Sequence, residues 1–167
     1  LEEEIKKQKD ENFYSKKSID KIEFQPSIKI PEEIFIPDNY INDINIKLSI
    51  YKRISLIKTI NEKDELIKEL NERFGNLPKE VINLFKLIEI KIKCLQNNIE
   101  LIEFGRKGIL ISFYKNKPKN PDRIINIGFS KDNKLSIRSD QKVFYDFKGF
   151  LKEDRFLLVN KIIKMIT

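Results

Sequence analysis

The sequence predicts an α+β domain: an N-terminal helical hairpin plus a further helix, packed with a small antiparallel sheet and a C-terminal helix. Three observations predict it. Apolar residues recur at helical spacing between positions 44 and 95, the period changes to two after Asn97-Asn98, and it turns helical again near the end of the chain. The pivot of the first region is the turn Arg73-Phe74-Gly75-Asn76-Leu77-Pro78. Upstream, Leu66, Ile67, Leu70 and Phe74 form one stripe, with Asn61 and Asp64 as the expected capping start. Gly75 is expected to close that helix in the left-handed conformation, and Pro78 to open the next one, where its missing N–H leaves no hydrogen bond unmade. The second helix, over residues 81–95, is apolar on most of its circumference and leaves a narrow polar stripe of Asn83, Lys86, Lys93 and Asn97. Such a helix is wrapped by other elements, and it is expected to be the central beam of one core.

Taken in order, residues 1–10 read as a charged helix end and residues 11–20 as a linker without periodicity, so the folded domain is expected over 21–167. Ile22, Phe24, Ile28 and Ile30 alternate with polar residues around Pro26, the pattern of an extended edge segment, because proline cannot donate to a ladder. In Phe35-Ile36-Pro37-Asp38-Asn39-Tyr40-Ile41, Pro37 biases Ile36 to an extended conformation and Asp38-Asn39 supply turn chemistry. The apolar residues of this loop are expected to plug into the core. Asn42 or Asp43 caps the next helix, whose stripe Ile46, Ile50, Ile54, Ile57 is flanked by Ile44, Leu48 and Tyr51. Beyond the helical hairpin, residues 99–104 and 109–114 read as strands joined at Gly105-Arg106-Lys107-Gly108. Asn120-Pro121-Asp122 predicts a short helix over 121–127 with Gly128 as its stop, although 123–127 also passes as a strand. Leu135 and Ile137, then Val143, Tyr145 and Phe147, alternate about a Ser139-Asp140 turn. A closing helix over 152–165 offers Phe156, Val159, Ile163 and Ile166 on one side.

With 167 residues the chain is long enough for one domain with its own core. Its apolar runs are too short to span a bilayer, no secretory signal is visible, and the start at Leu1 reads as a piece of something longer. Cys94 lies among apolar neighbours and is expected to be a small buried hydrophobe; the lack of a disulfide framework fits a cytoplasmic location. Net charge is +7, and the excess lies in residues 105–167, which carry 15 basic and 6 acidic groups. Basic surface of that kind faces nucleic acid or an acidic partner. The 30 isoleucines, absent alanine and abundant lysine and asparagine, however, match an AT-rich coding bias that adds lysines without a binding role.

The chain has no histidine, which excludes Ser-His and Cys-His nucleophiles and H-E-x-x-H metal sites. One cysteine cannot build a zinc cluster, and the five glycines match no phosphate-binding loop, so no cofactor, metal or catalytic residue is expected. Carboxylate pairs such as Glu62/Asp64 and Glu69/Glu72 sit on charged helix faces, where ion pairing along the helix is their ordinary role. Phe144-Tyr145 near Lys142 and Lys148 is the closest approach to a base-stacking platform, and a strand with one core face explains it better.

Three stretches together carry a resemblance. Phe35-Ile36-Pro37-Asp38-Asn39-Tyr40-Ile41, Ile50-Tyr51-Lys52-Arg53-Ile54 and Arg73-Phe74-Gly75-Asn76-Leu77-Pro78 resemble, in order and spacing, the Y-I-P-D-x-Y-I, I-Y-K-R-I and R-F-G-P-L-P motifs of the C-terminal domain of bacterial transcription-repair coupling factors. The match covers residues 22–98 well and only the pattern beyond; Phe35 stands for a tyrosine and Asn76 for a proline. Leu1-Glu2-Glu3-Glu4 resembles the end of the motor module that precedes this domain. The resemblance implies a parent that is an ATP-dependent DNA translocase, removes stalled RNA polymerase and recruits the damage-recognition subunit of the excision nuclease. It implies a non-catalytic, autoinhibitory role for the terminal domain, which docks on the parent's own N-terminal module and masks the surface that binds that subunit. Pro37, Tyr40, Tyr51, Phe74, Gly75 and Pro78 are expected to serve the fold, whereas Arg53 and Arg73 are candidate partner contacts or internal braces. The alternative is direct nucleic-acid binding by the basic residues of 105–167.

Overall fold

The computed structural model describes residues 24–129, 134–149, 151 and 153–167. The expectations for residues 1–20 and for Ile22 lie outside them. Three helices begin where a side chain holds free N–H groups of the first turn. Asp43 accepts from the N–H of Asn45 and Ile46 at 2.8 and 3.0 Å and starts α1 (Ile44–Leu56). A capping box starts α2 (Ile60–Phe74): the Thr59 hydroxyl accepts from Glu62 N–H at 3.2 Å, and the Glu62 carboxylate accepts from Thr59 N–H at 3.3 Å. The cap is therefore two residues ahead of the expected Asn61 and Asp64, which already lie inside the helix. Gly75 ends α2 with φ +82° and ψ −166°. Its positive φ agrees with the sequence reading, but its ψ is not the left-handed helical one. The chain leaves extended, through a region open essentially to glycine alone. Pro78 caps α3 (Lys79–Gln96), its carbonyl accepting from Val81 and Ile82.

The strands are β1 (Ser27–Lys29), β2 (Ile99–Phe104), β3 (Gly108–Phe113), β4 (Leu135–Ile137) and β5 (Val143–Asp146), in the order β1-β2-β3-β5-β4. Pairing is antiparallel except that β1 runs parallel to β2, which makes the sheet mixed. Parallel pairing needs a long crossover, and α1, α2 and α3 supply it. Ile102 faces Ile111, Ile111 faces Val143, and Ile109 faces Tyr145, so alternation puts these residues on one side of the sheet. That side is covered by the C-terminal half of α3, by α4 (Pro121–Phe129) and by α5 (Arg155–Ile166). Gly128 does not stop α4. A Cβ there would come within 3.2 Å of Ile137 Cδ1, so the glycine instead lets α4 approach β4. Asp154 caps α5, accepting from Leu157 N–H at 2.9 Å, and Phe156, Val159, Ile163 and Ile166 are buried as their spacing predicts.

The core is divided, contrary to the single core expected. Val81, Leu84, Phe85, Ile88 and Ile92 of α3 join Ile50 and Ile54 of α1, Leu66 and Leu70 of α2, and the loop residues Ile36 and Ile41. Ile90 and Cys94 of the same helix join the sheet, α4 and α5. A helix apolar almost all round serves two clusters because it has two apolar faces, and each buried isoleucine or leucine contributes on the order of 2 kcal/mol. Asn83 is not on a polar stripe: it is 3% exposed, and its Nδ2 donates to the Glu33 carbonyl at 3.1 Å, while Ile82 is 42% exposed. Cys94 is fully buried, and burial pushes its thiol up to about 12.

Candidate functional site

The three motif stretches meet in space around the junction of α1, α2 and the Gly75 turn. In the first, the Pro37 carbonyl accepts from the N–H groups of Tyr40 and Ile41, both at 3.1 Å, which folds the loop so that Ile36 and Ile41 enter the core. Tyr40 then reaches the third stretch. Its hydroxyl lies 3.2 Å from the Leu70 carbonyl and 3.1 Å from the Gly75 carbonyl, and its ring meets Phe74 edge-on with centroids 6.0 Å apart. Burial raises the Tyr40 phenol, which keeps the hydroxyl a donor to these carbonyls. Tyr51 of the second stretch returns to the first, its hydroxyl accepting from Ile36 N–H at 2.7 Å. The residues form one latch: loop to helix α1, and loop to the end of α2.

Arg53 and Arg73 converge on a residue the sequence reading treated as part of a solvated pair. Arg53 donates through Nη1 and Nη2 to Glu69 Oε1 and Oε2 at 2.8 and 2.5 Å, and Arg73 Nη1 donates to Glu69 Oε1 at 2.8 Å. The two-pronged bond matches the planar guanidinium to the carboxylate. Hydrogen bonds from Arg53 and then Arg73 hold the Glu69 carboxyl down at about 2. The Arg73 guanidinium also sits 4.9 Å from the Phe74 ring centroid, which joins this charged cluster to the Tyr40 latch. Glu69 and Arg73 stand four apart on α2, a spacing legible in the sequence; the arrival of Arg53 from α1 is not. Both arginine side chains keep about half their surface in solvent, 45% for Arg53 and 49% for Arg73.

Beside the cluster, a hollow of about 600 Å³ runs between the end of α1 and the start of α2, lined by Arg53, Leu56, Ile57, Glu65, Leu66 and Glu69. The outward side of α1 carries Ile44, Leu48 and Leu56, which are 60%, 58% and 63% exposed. Sequence reasoning placed Ile44 and Leu48 beside the core stripe and did not mark this face. Their positions four apart along one helix side were the signal. Among the described residues no group of three histidine, cysteine, aspartate or glutamate side chains is arranged to hold a metal, and no helix is long and apolar enough to cross a membrane.

Fold and site together define an α+β domain whose helical half is latched by three short motifs and braced by a carboxylate shared between two arginines. The chain belongs to the TRCF domain family, which matches residues 30–124. It is similar to the transcription-repair-coupling factor of Rickettsia conorii, 37% identical over 145 residues that make up 87% of this chain and 12% of that protein. It is also similar to the Bacillus subtilis factor, 38% identical over 90 residues covering 54% of this chain and 8% of the relative. The chain thus spans only a small part of the length of the curated relatives it matches. A crystal structure of the C-terminal domain of transcription-repair coupling factor has the same fold, with a TM-score of 0.70 and 20% identity, covering 86% of this chain and 90% of that one.

Proposed function

We propose that the chain is the C-terminal regulatory domain of a transcription-repair coupling factor and acts by docking rather than by catalysis. It covers the N-terminal module of its own parent protein, where the damage-recognition subunit of the excision nuclease binds, until the motor engages stalled RNA polymerase and DNA in the cytoplasm. The observation that carries this reading is the outer face of α1. Three large apolar side chains stand exposed on it, and α1 also carries Arg53, a half-exposed arginine. Leu56 lines the same hollow as Arg53, and an apolar residue beside an arginine is the composition of a protein interface, which Arg enters more readily than Lys. Because Glu69 already fixes Arg53 and Arg73, their unused N–H groups are pre-oriented for a partner carboxylate. ATP binding and DNA translocation belong, in this proposal, to the parent's motor. Docked and undocked forms are two populations, and events at the motor shift the balance between them.

The test removes the cover. If docking is worth about 2–3 kcal/mol, deletion of the residues from 22 onward from the parent protein raises its affinity for the damage-recognition subunit by about 30- to 150-fold. Leu48→Glu, which places a charge on the exposed face without touching the core, reproduces most of that gain. Equal affinity of intact and truncated protein at fixed salt defeats the masking reading. The competing nucleic-acid reading is weakened by what the basic residues do. Lys119 and Arg123 donate to the carbonyls of Gln96 and Lys164, and Arg138 and Lys142 flank Asp140. A steep salt slope for duplex DNA binding by this chain would restore it.

A further inference from the structure

The turn from β2 to β3 and the end of β5 frame a second cavity, of about 730 Å³, whose lining includes Pro31, Phe104, Arg106, Phe147, Leu151 and Arg155. It lies at the end of the sheet, away from the three motifs. Its walls are tied to the sheet: Gly105 N–H donates to the Gly108 carbonyl at 2.8 Å, and Phe147 N–H donates to the Lys107 carbonyl at 2.9 Å. Phe104 and Phe147 pack against the sheet cluster with their ring centroids 6.1 Å apart, and Leu151 packs against the same cluster. Arg155 opens α5 and donates Nη1 to Glu32 Oε1 at 2.6 Å, which fixes its guanidinium while leaving 40% of the side chain exposed. Arg106 is exposed and has no hydrogen bond, ion pair or ring contact among the described residues. Lys107 and Lys148, both exposed, stand on the same two turns.

We propose that this cavity binds an acidic peptide segment in which an aspartate or glutamate lies next to an aromatic or large apolar residue. Arg106 takes the carboxylate with its free planar fork, Arg155 adds a second, fixed positive charge, and the wall of Phe104, Phe147 and Leu151 receives the neighbouring side chain. A guanidinium suits a carboxylate because two parallel N–H groups match its two oxygens. A nucleic acid fits less well. The two rings are rooted in the core and tilted on each other by 37°, so they form a wall and not a pair of open faces for bases. This inference is independent of masking, since it concerns another surface and is measured on this chain alone.

The test titrates the 167-residue chain into a fluorescein-labelled hexapeptide of alternating aspartate and phenylalanine, read by anisotropy, with amide shifts mapped by NMR. Saturable binding below about 1 mM is expected, with shifts at Gly105, Arg106 and Phe147. Asparagine in place of aspartate weakens it by about tenfold or more. Arg106→Glu does the same at an unchanged melting temperature, because Arg106 braces nothing among the described residues. No saturation, equal binding of the asparagine peptide, or an affinity unmoved by Arg106→Glu overturns the proposal. So does binding of a ~20-bp duplex that is lost with Arg106→Glu while the peptide does not bind, which makes the site a phosphate surface.

Discussion

Gly108 opens β3 opposite Asp146, and an alanine Cβ there would lie 2.0 Å from the Tyr145 carbonyl oxygen and 2.6 Å from Phe144 Cζ. The Phe144 ring can turn aside. The carbonyl cannot, because it belongs to β5, so Gly108→Ala must push β3 and β5 apart by more than an ångström to reach an ordinary contact. Overpacking of that kind costs about 1–3 kcal/mol. Stretching one or two of the adjoining ladder bonds adds about 1 kcal/mol each, for a total of about 2–5 kcal/mol against a domain stability of about 5–15 kcal/mol. Urea denaturation followed by circular dichroism reads this as a midpoint lowered by about 0.7–2.5 M at an m-value near 2–3 kcal/mol/M. Gly105→Ala, in the same hairpin, is the control. The nearest heavy atom to its Cβ would be 3.5 Å away and its φ is not positive, so its stability stays within about 0.5 kcal/mol of the parent. Equal midpoints for the two variants, or a loss below about 1 kcal/mol for Gly108→Ala, refute the close approach of β5 as the reason for this glycine.

Three further outcomes are expected. Gly75→Ala lowers stability by about 1–3 kcal/mol, and Gly75→Val by little more, because no atom lies within 4 Å of either Cβ and the penalty is in the backbone at φ +82°; a much larger loss for valine in thermal melts would point to crowding instead. The Glu69 carboxyl titrates at about 2, below its ordinary 4.5, so the stability it adds is present above about 4.5 and is lost as pH falls through about 2. Its size is modest because a third of the side chain is in water, and an NMR titration midpoint in the ordinary range would contradict the double arginine contact. Cys94 stays unreactive to a thiol reagent such as Ellman's at pH 8 until the domain is unfolded, and prompt modification of the native chain would show that α3 opens locally.

What could be read in the sequence was local. Gly75 and Pro78 punctuate the helical hairpin, Asp43 caps α1 through its own carboxylate, and the alternation of Ile109, Ile111, Val143 and Tyr145 announces strands with one buried face. What could not be read depended on residues far apart in the chain. β1 pairs with β2 across a separation of 74 residues, and Asn83 is buried because a carbonyl 50 residues earlier receives its amide. The same division holds at the site. Motif spacing selected Tyr40, Tyr51, Arg53 and Arg73, but only the packing of α1 on α2 makes Glu69 the acceptor for both arginines. In isolation the asparagine and aspartate just beyond Thr59 look like better caps than a threonine; the reciprocal bond between Thr59 and Glu62 decides otherwise.

The helix α3 has 18 residues and is therefore about 27 Å long. One end begins beside the Tyr40–Gly75 latch, and the other runs into Asn97 and Asn98, where β2 starts. A rod clamped in both clusters has no free direction in which to relieve a push. Rolling it to suit a change around Leu70 and Phe85 drags Ile90 and Cys94 out of register with the sheet, and sliding it displaces the first residue of β2. Strain applied to the α1 face is thus delivered to the sheet and is not dissipated between the halves. The two clusters are expected to melt together, with the α3 amides among the last to exchange with solvent water.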